Sequence, residues 1–225
     1  MIDPGLASAL EKQLADWHAT LHTGAERLGW KLGVGDRESI GGEIAVGHLT
    51  SATCLPPGTS YRAPDDAVEL HADAELAVEL GRDIGSPADA AAVLAAIGGY
   101  GVALEIVDLA PLQNEPESVV AANIFHRAVA FGPMLHTLPR HGLVGKLLVG
   151  DEIRASGRAA DDVVEKLSAA ARILGAVGER LEAGDLIITG SIVQVPVMMG
   201  DEVTAAIEEL GEVRLSIAPY VPSTA

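Results

Sequence analysis

Basic residues are scarce in this chain of 225 residues, which has 15 Lys and Arg against 32 Asp and Glu and a formal net charge of −17 at pH 7. Binding to nucleic acid or to an anionic membrane surface depends on Lys and Arg that neutralise phosphates. The sequence has no basic patch of this kind. We therefore expect neither nucleic acid nor a membrane among its partners.

Cysteine and long apolar runs are also nearly absent. Cys54 is the one cysteine, which excludes an intramolecular disulfide and a zinc site with several cysteine ligands. No run of about 18 apolar residues occurs, and the N-terminal residues show no basic segment followed by an apolar one. These absences predict a soluble, cytoplasmic protein.

Apolar side chains, by contrast, are abundant at 48% of the sequence, which is enough for one sizeable core. No repeat of fixed period, low-complexity tract or linker divides the chain. We predict a single α+β domain over residues 1–225, in which residues 1–28 form an N-terminal helical segment.

Helical periodicity is clearest in two places. Apolar residues recur at the spacing of one helix face from about Leu6 to Leu28, and again from about Asp161 to Leu181. Gly184 ends the second predicted helix. The alternation after it predicts four short strands, over residues 186–190, 193–198, 203–207 and 213–217.

Two acidic residues stand out in a predicted strand over residues 71–81. Acidic and apolar residues alternate there, so Asp73 and Glu75 leave the same face of the strand. Two carboxylates at this spacing repel each other unless water or a cation lies between them. The alternative interpretation is that they form the solvated face of an edge strand.

A third acidic residue, Glu105, lies within the almost wholly apolar run 102–108. Such a run is typical of a strand that is buried on both faces, where an unpaired charge is costly. Three carboxylates that converge on one point would suit a hard divalent cation, because Mg²⁺ and Mn²⁺ prefer oxygen ligands. Asp73, Glu75 and Glu105 are therefore candidate metal ligands.

Two further segments carry polar groups in apolar surroundings. Lys31 lies in a short apolar stretch between Gly29 and Gly33, where a lysine either extends to solvent or pairs with an anion. Residues 189–191, Thr-Gly-Ser, lie between two predicted strands. Their amides and hydroxyls either face an anion or form a tight turn.

Several segments together resemble the 2-keto-4-pentenoate hydratase group, which with the 4-oxalocrotonate decarboxylases belongs to the fumarylacetoacetate hydrolase superfamily. Each segment is weak alone, but their joint occurrence in order is specific and extends over nearly the whole chain. The segments are GWKLG at 29–33, ADAELAVELG at 72–81, ALEIVD at 103–108, AGDLIITGS at 183–191, VPV at 195–197 and GD at 200–201.

The resemblance implies a fold, a cofactor and an assembly. The family fold is a mixed β-sheet roll of the fumarylacetoacetate hydrolase C-terminal-domain type with flanking helices, and its members are homo-oligomers. The implied cofactor is Mg²⁺ or Mn²⁺, held by an acid-x-acid pair on one strand and a glutamate on a later strand. These positions are Asp73, Glu75 and Glu105 here, with Asp73 standing where a glutamate is usual.

The resemblance also implies roles around the metal. Lys31 matches the active-site lysine of the family, and Thr189 and Ser191 match the Ser/Thr-Gly turn that faces the substrate carboxylate. Where the family commonly has Asp-Asn followed by small residues, this chain has Asn123 and, three positions later, His126. We predict Asn123 as a substrate-binding residue and His126 as a catalytic residue; the alternative for His126 is a structural hydrogen-bonding partner.

The leading functional hypothesis is a metal-dependent hydratase that adds water to a 2-hydroxy-2,4-dienoate and gives a 4-hydroxy-2-oxo acid, as in the catabolism of aromatic compounds. Two alternatives use the same enolate: decarboxylation of a 2-oxo-enedioate such as 4-oxalocrotonate, and C–C hydrolysis of an acylpyruvate with His126 or His48 as base. A third is a non-catalytic protein that binds a small 2-oxo acid. All of them predict a small dienoate or 2-oxo acid as partner.

Overall fold

The computed structural model describes residues 3–33, 44–109, 115–137 and 141–219. In these ranges the chain forms four α-helices and eleven β-strands. The helices are α1 (Pro4–His22), α2 (Ala90–Ala96), α3 (Pro116–Ala121) and α4 (Val163–Ala176). The strands are β1 (Arg27–Gly33), β2 (Ala45–Thr50), β3 (Ser60–Ala63), β4 (Leu70–Leu80), β5 (Ile97–Asp108), β6 (His126–Phe131), β7 (Val144–Val149), β8 (Glu152–Arg158), β9 (Leu186–Pro196), β10 (Glu202–Ile207) and β11 (Gly211–Pro219).

The strands form two mixed sheets. One has six strands in the order β2-β1-β9-β4-β5-β6, and the other has five in the order β3-β11-β10-β7-β8. Neighbouring strands are antiparallel except for two parallel pairs, β1 with β9 and β3 with β11. The predicted α+β class with a mixed sheet and flanking helices is confirmed.

The main core lies between the sheets, where β7, β8, β10 and β11 pack across β4, β5 and β9. Buried apolar residues from both sheets and from the helices meet there, among them Leu76, Leu104, Leu147, Leu174 and Leu215. Since this core takes one face of the six-stranded sheet, its other face is left for the polar residues described below. No helix in the described ranges is long and apolar enough to cross a membrane.

The first helix is shorter than its periodicity predicts. The carboxylate of Asp3 caps α1 by accepting hydrogen bonds from two backbone N–H groups of the first turn. The helix ends at His22 because Gly24 adopts a left-handed conformation with φ of 103°. The prediction that it continues to Leu28 is wrong, since Leu28 already belongs to β1, and residues 1 and 2 of the predicted segment lie outside the described ranges.

Two further predicted boundaries are corrected. The helix predicted from Asp161 to Leu181 is α4, which ends at Ala176, and Gly178 follows with φ of 82°. The strands predicted over 186–190 and 193–198 are one strand, β9. The pairing of β9 with β4 shifts register beside Glu75, so residues 189–191 contain a β-bulge rather than a turn between strands.

Candidate metal centre

Three carboxylates meet on the face of the six-stranded sheet that lies away from the main core. Asp73 and Glu75 are two residues apart on β4, and Asp73 is directly opposite Glu105 on β5. One oxygen from each side chain can be chosen so that all three lie within 4.8 Å of one another. The residues are only 4%, 2% and 1% exposed. Since β4 lies between β9 and β5, the alternative of a solvated edge strand is wrong.

The electrostatics of this cluster favour a bound cation. Burial, together with the charge of Glu105, raises the pKa of Asp73 to about 7. Burial and the charges of Glu105 and Asp73 also raise the pKa of Glu75 well above its usual value. Carboxylates with such pKa values take up protons unless a positive charge compensates them. Three buried hard oxygen ligands therefore fit a divalent cation such as Mg²⁺ or Mn²⁺.

The bulge in β9 orients the two carboxylates of β4. Gly190, with φ of 101°, donates its backbone N–H to Glu75 Oε2 at 2.8 Å. The next residue, Ser191, donates its hydroxyl to Asp73 Oδ1 at 3.1 Å, and the side chain of Gln194 also hydrogen-bonds Asp73. Hydrogen bonds from β9 thus hold the carboxylates of Asp73 and Glu75 in place.

Lys31 pairs with the third carboxylate. Its Nζ donates to Glu105 Oε1 at 2.6 Å and to the carbonyl oxygen of Ile124 at 2.9 Å, and its side chain is 4% exposed. The alternative in which Lys31 extends to solvent is wrong. Burial alone would raise the pKa of Glu105, but the charge of Lys31 and the hydrogen bond from His126 outweigh it, so the pKa is lowered.

His126 contacts the same carboxylate oxygen as Lys31. Its Nδ1 lies 2.6 Å from Glu105 Oε1, and its Nε2 lies 2.9 Å from the hydroxyl of Thr53. The side chain is 2% exposed. Burial lowers the pKa of His126, although Glu105 opposes this shift. The structure therefore brings His126 to the cluster as a neighbour of Glu105.

A left-handed turn formed by residues 123–125 precedes β6 and positions one acceptor of Lys31. Asn123, Ile124 and Phe125 have φ values of 54°, 52° and 63°, and three successive non-glycine residues in this region are strained. The Ile124 carbonyl is the acceptor for Lys31. The Asn123 amide spans the backbone of His48 on β2, accepting from its N–H at 2.8 Å and donating to its carbonyl at 3.1 Å.

The side chains of Thr189 and His48 contact groups other than the three carboxylates. Thr189 is buried and donates its hydroxyl to the Leu76 carbonyl at 3.1 Å. His48 is paired with Trp30, next to the pair formed by Lys31 and Gly47, so its side chain leaves the opposite face of the sheet. There its ring stacks at 6.1 Å on Trp17 of α1, which contradicts the alternative of His48 as a base.

A family model described as fumarylacetoacetate (FAA) hydrolase C-terminal matches residues 42–218. The chain belongs to this family. The predicted membership of the fumarylacetoacetate hydrolase superfamily is confirmed. A search of curated proteins found no match.

Solved structures with the fumarylacetoacetate hydrolase fold are similar over most of the chain. The 4-oxalocrotonate decarboxylase from Pseudomonas putida G7, complexed with magnesium and adipate, is 23% identical with a TM-score of 0.86, over 94% of this chain and 86% of that chain. Fumarylpyruvate hydrolase from Pseudomonas aeruginosa, in complex with Mn²⁺ and pyruvate, is 19% identical with a TM-score of 0.68, over 87% of this chain and 90% of that chain.

A third solved structure extends the range of activities among proteins of this shape. It is 5-carboxymethyl-2-hydroxymuconate delta-isomerase from Mycobacterium smegmatis, which is 19% identical with a TM-score of 0.65, over 87% of this chain and 81% of that chain. At these identities the likeness establishes the fold of this family member.

Three residues that reasoning from sequence missed belong to this fumarylacetoacetate hydrolase site. Thr53 contacts His126, Gln194 contacts Asp73, and Gly47 leaves room for its neighbours. A Cβ atom on Gly47 would lie 2.5 Å from Asn123 Oδ1 and 2.7 Å from Lys31 Cγ. The cross-strand pairing of Gln194 with Asp73 follows from register, which the sequence pattern alone does not give.

Proposed function

We propose that the protein is a divalent-metal-dependent lyase that acts on a small 2-oxo or 2-hydroxy dienoic acid. The observation that carries this proposal is the convergence of Asp73, Glu75 and Glu105 with Lys31 on one buried face. A bound Mg²⁺ or Mn²⁺ would supply Lewis acidity, which lowers the energy of negative charge that develops on such a substrate. Asp73, Glu75 and Glu105 would hold the cation.

Lys31 contributes positive charge next to the reacting oxygen. Within the described part of the chain its ammonium has two acceptors, Glu105 Oε1 and the Ile124 carbonyl. An ammonium has three hydrogens, so one is left for a substrate oxygen. A fixed donor at a site where negative charge develops is among the largest contributions to rate in a buried site.

Ser191 is the predicted substrate-binding residue best placed to meet a carboxylate. It lies on the bulge, exposed, with its hydroxyl on Asp73. Thr189 and Asn123 also belong to the predicted set, but Thr189 donates its hydroxyl to the Leu76 carbonyl and Asn123 uses its amide on the backbone of His48. We propose that these two shape the site, and that the exposed hydroxyl of Ser191 turns from Asp73 to the substrate carboxylate when substrate binds.

Hydration is the first reaction we propose. The 2-hydroxyl of a 2-hydroxy-2,4-dienoate loses its proton as C5 gains one, which gives a 2-oxo-3-enoate. Water then adds across C3 and C4, with its hydroxyl going to C4 and its other hydrogen to C3. Both proton movements pass through the delocalised system that the cation and Lys31 stabilise.

Decarboxylation of a 2-oxo-enedioate is the second candidate, favoured by the TM-score of 0.86 with the 4-oxalocrotonate decarboxylase against 0.68 with the hydrolase. The C–C bond to the distal carboxylate breaks and CO₂ leaves. The electron pair moves through the enone to the 2-oxygen, which takes a proton. This step needs no base. It needs stabilisation of the negative charge on the 2-oxygen, which Lys31 and a divalent cation would supply.

A side-by-side assay tests both reactions. Protein stripped of metal by a chelator and then reloaded with Mg²⁺ or Mn²⁺ is given 2-hydroxy-2,4-pentadienoate, 4-oxalocrotonate and an acylpyruvate, and products are identified by NMR. We expect metal-dependent turnover of the dienoate, the enedioate or both. Turnover of the acylpyruvate alone would contradict the lyase proposal, and so would equal rates before and after stripping.

Glu105→Gln and Glu152→Gln provide the matched variants for this assay. The first removes a proposed ligand, and the second changes an exposed glutamate on β8 whose side chain is 72% exposed. We expect turnover to be lost in Glu105→Gln and kept in Glu152→Gln. Loss in both would indicate that the assay reports general damage.

A further inference from the structure

Both ring nitrogens of His126 are engaged in short contacts. Nδ1 lies 2.6 Å from Glu105 Oε1 and Nε2 lies 2.9 Å from Thr53 Oγ1. The side chain is 2% exposed. A histidine that removes a proton from substrate or water needs one nitrogen free for it.

The proton positions follow from the partners. Glu105 Oε1 also accepts from the Lys31 ammonium at 2.6 Å, so Glu105 is a carboxylate and has no hydrogen to give. The hydrogen of the contact with Glu105 is therefore on Nδ1 of His126. A second hydrogen on the ring would put another positive charge beside Lys31 in a buried site, so Nε2 is an acceptor and Thr53 donates to it.

Thr53 is well placed to donate its hydroxyl to Nε2 of His126. Its backbone carbonyl accepts from Val129 N–H at 3.0 Å, and Leu55 N–H donates to the Val129 carbonyl at 2.8 Å. These two backbone hydrogen bonds hold the loop after β2 against β6, the strand that begins with His126. The other acceptor near the Thr53 hydroxyl, the Thr50 carbonyl, is farther away at 3.4 Å.

The consequence for Glu105 is that one of its oxygens is fully occupied. Oε1 accepts from Lys31 and from His126, which leaves Oε2 as the oxygen that can bind a cation. Groups that hydrogen-bond a metal ligand from behind fix its orientation and strengthen binding. A carboxylate held by two donors on one oxygen cannot rotate without breaking both hydrogen bonds.

We propose that His126 and Thr53 are positioning residues for the metal site, which fix Glu105 with Oε2 towards the cation, and that His126 is not the base of the reaction. This inference rests on the proposed function in so far as it needs a divalent cation at the three carboxylates. It changes the role predicted for His126 from sequence. It also gives a role to Thr53, which lies outside the segments that resemble the family.

Two isosteric replacements of His126 test the inference. In His126→Asn the amide nitrogen takes the place of Nδ1 and can still donate to Glu105, whereas in His126→Gln it takes the place of Nε2. Mn²⁺ affinity is measured by electron paramagnetic resonance of the free ion. We expect His126→Gln to bind Mn²⁺ about 10- to 100-fold more weakly than the unmodified protein, and His126→Asn to recover most of this loss.

A second pair of variants tests Thr53 at less risk to folding. Thr53→Val keeps the shape and removes the hydroxyl, and Thr53→Ser restores the hydroxyl. We expect Mn²⁺ affinity to fall several-fold in Thr53→Val and to be rescued in Thr53→Ser. Equal affinities in the two variants, with thermal unfolding showing both folded, would overturn the role of Thr53.

The turnover of His126→Asn at saturating Mn²⁺ separates a positioning residue from a base. Recovery of turnover together with affinity supports the inference, because asparagine cannot act as a base. Recovered affinity with turnover still lost would overturn it and make His126 the base. If the unmodified protein binds no Mn²⁺ the proposed function fails, whereas Mn²⁺ binding with equal affinities in His126→Asn and His126→Gln overturns this inference alone.

Discussion

Asn123 binds both main-chain polar groups of His48, accepting from its N–H at 2.8 Å and donating to its carbonyl at 3.1 Å. This pair of hydrogen bonds fastens the left-handed turn to β2. The turn carries the carbonyl of Ile124, which is one of the acceptors for Lys31. An amide outside the carboxylate cluster thus controls where the ammonium lies.

Asn123→Ala is expected to lower the free energy of unfolding by about 2–3 kcal/mol, because two hydrogen bonds are lost and alanine tolerates the left-handed region less well than asparagine. Urea denaturation measures this loss. Asn123→Gly, which loses the hydrogen bonds but tolerates φ of 54°, should lose less. A stability of Asn123→Ala equal to that of the unmodified protein would contradict the role of the amide.

Gly47→Ala is expected to displace the lysine and the turn together. The added methyl group would meet Asn123 Oδ1 at 2.5 Å and Lys31 Cγ at 2.7 Å, and both belong to groups that are held by hydrogen bonds. Turnover should fall by at least an order of magnitude, in the range seen when a catalytic group is misplaced by about 1 Å. Gly85→Ala is the matched control, since a Cβ there meets nothing within 4 Å.

Lys31→Met removes the charge and keeps the length of the side chain. We expect turnover to fall by about 10²- to 10³-fold, the size of effect seen for a lost donor at a developing negative charge. Lys12→Met on the exposed side of α1 should leave turnover unchanged. Steady-state rates at saturating Mn²⁺ provide the measurement, and similar losses in both variants would argue against a specific role for Lys31.

The stability of the metal-free protein should depend on pH through Asp73. Its pKa is raised to about 7 in the folded state from an ordinary value of 3.8, so the folded state binds this proton more tightly than the unfolded state. The resulting stabilisation is complete below pH 4 and is lost as the pH rises through about 7. The pKa of Glu75, which is raised as well, adds to the same trend.

Divalent cations should compensate for this loss, because they replace the proton as the positive charge in the cluster. We expect saturating Mg²⁺ to raise Tm more at pH 8 than at pH 5, as measured by calorimetry. In Asp73→Asn the difference between the two pH values should shrink. A Tm shift that is larger at pH 5 would show that the cation binds elsewhere.

The parts of the site that could be predicted from sequence are those that depend on local periodicity. The alternation around Asp73 and Glu75 placed both on one strand face, and the apolar surroundings of Glu105 indicated an uncommon buried acid. Their convergence needs β4 and β5 to pair with Asp73 opposite Glu105. Such register is a non-local property, which the resemblance to a family supplied and the pattern did not.

Other features depend on single backbone conformations and were missed for that reason. The spacing from Leu21 to Leu28 suits a helix, but Gly24 ends α1 before that spacing can continue. The left-handed turn at Asn123 contains no glycine at its three positions, so apart from Asn123 itself its composition does not indicate positive φ. The contact of Thr53 with His126 joins a loop to a strand 73 residues away in sequence, beyond the range of any local pattern.

The position of β9 has a consequence for how the protein is made. This strand begins at Leu186, yet it lies in the middle of the six-stranded sheet, between β1 and β4. Until the ribosome has released it, β1 and β4 have no common neighbour in the sheet, and Glu75 and Asp73 lack the donors of Gly190 and Ser191. A nascent chain should therefore acquire its full cation affinity late, when this last central strand enters.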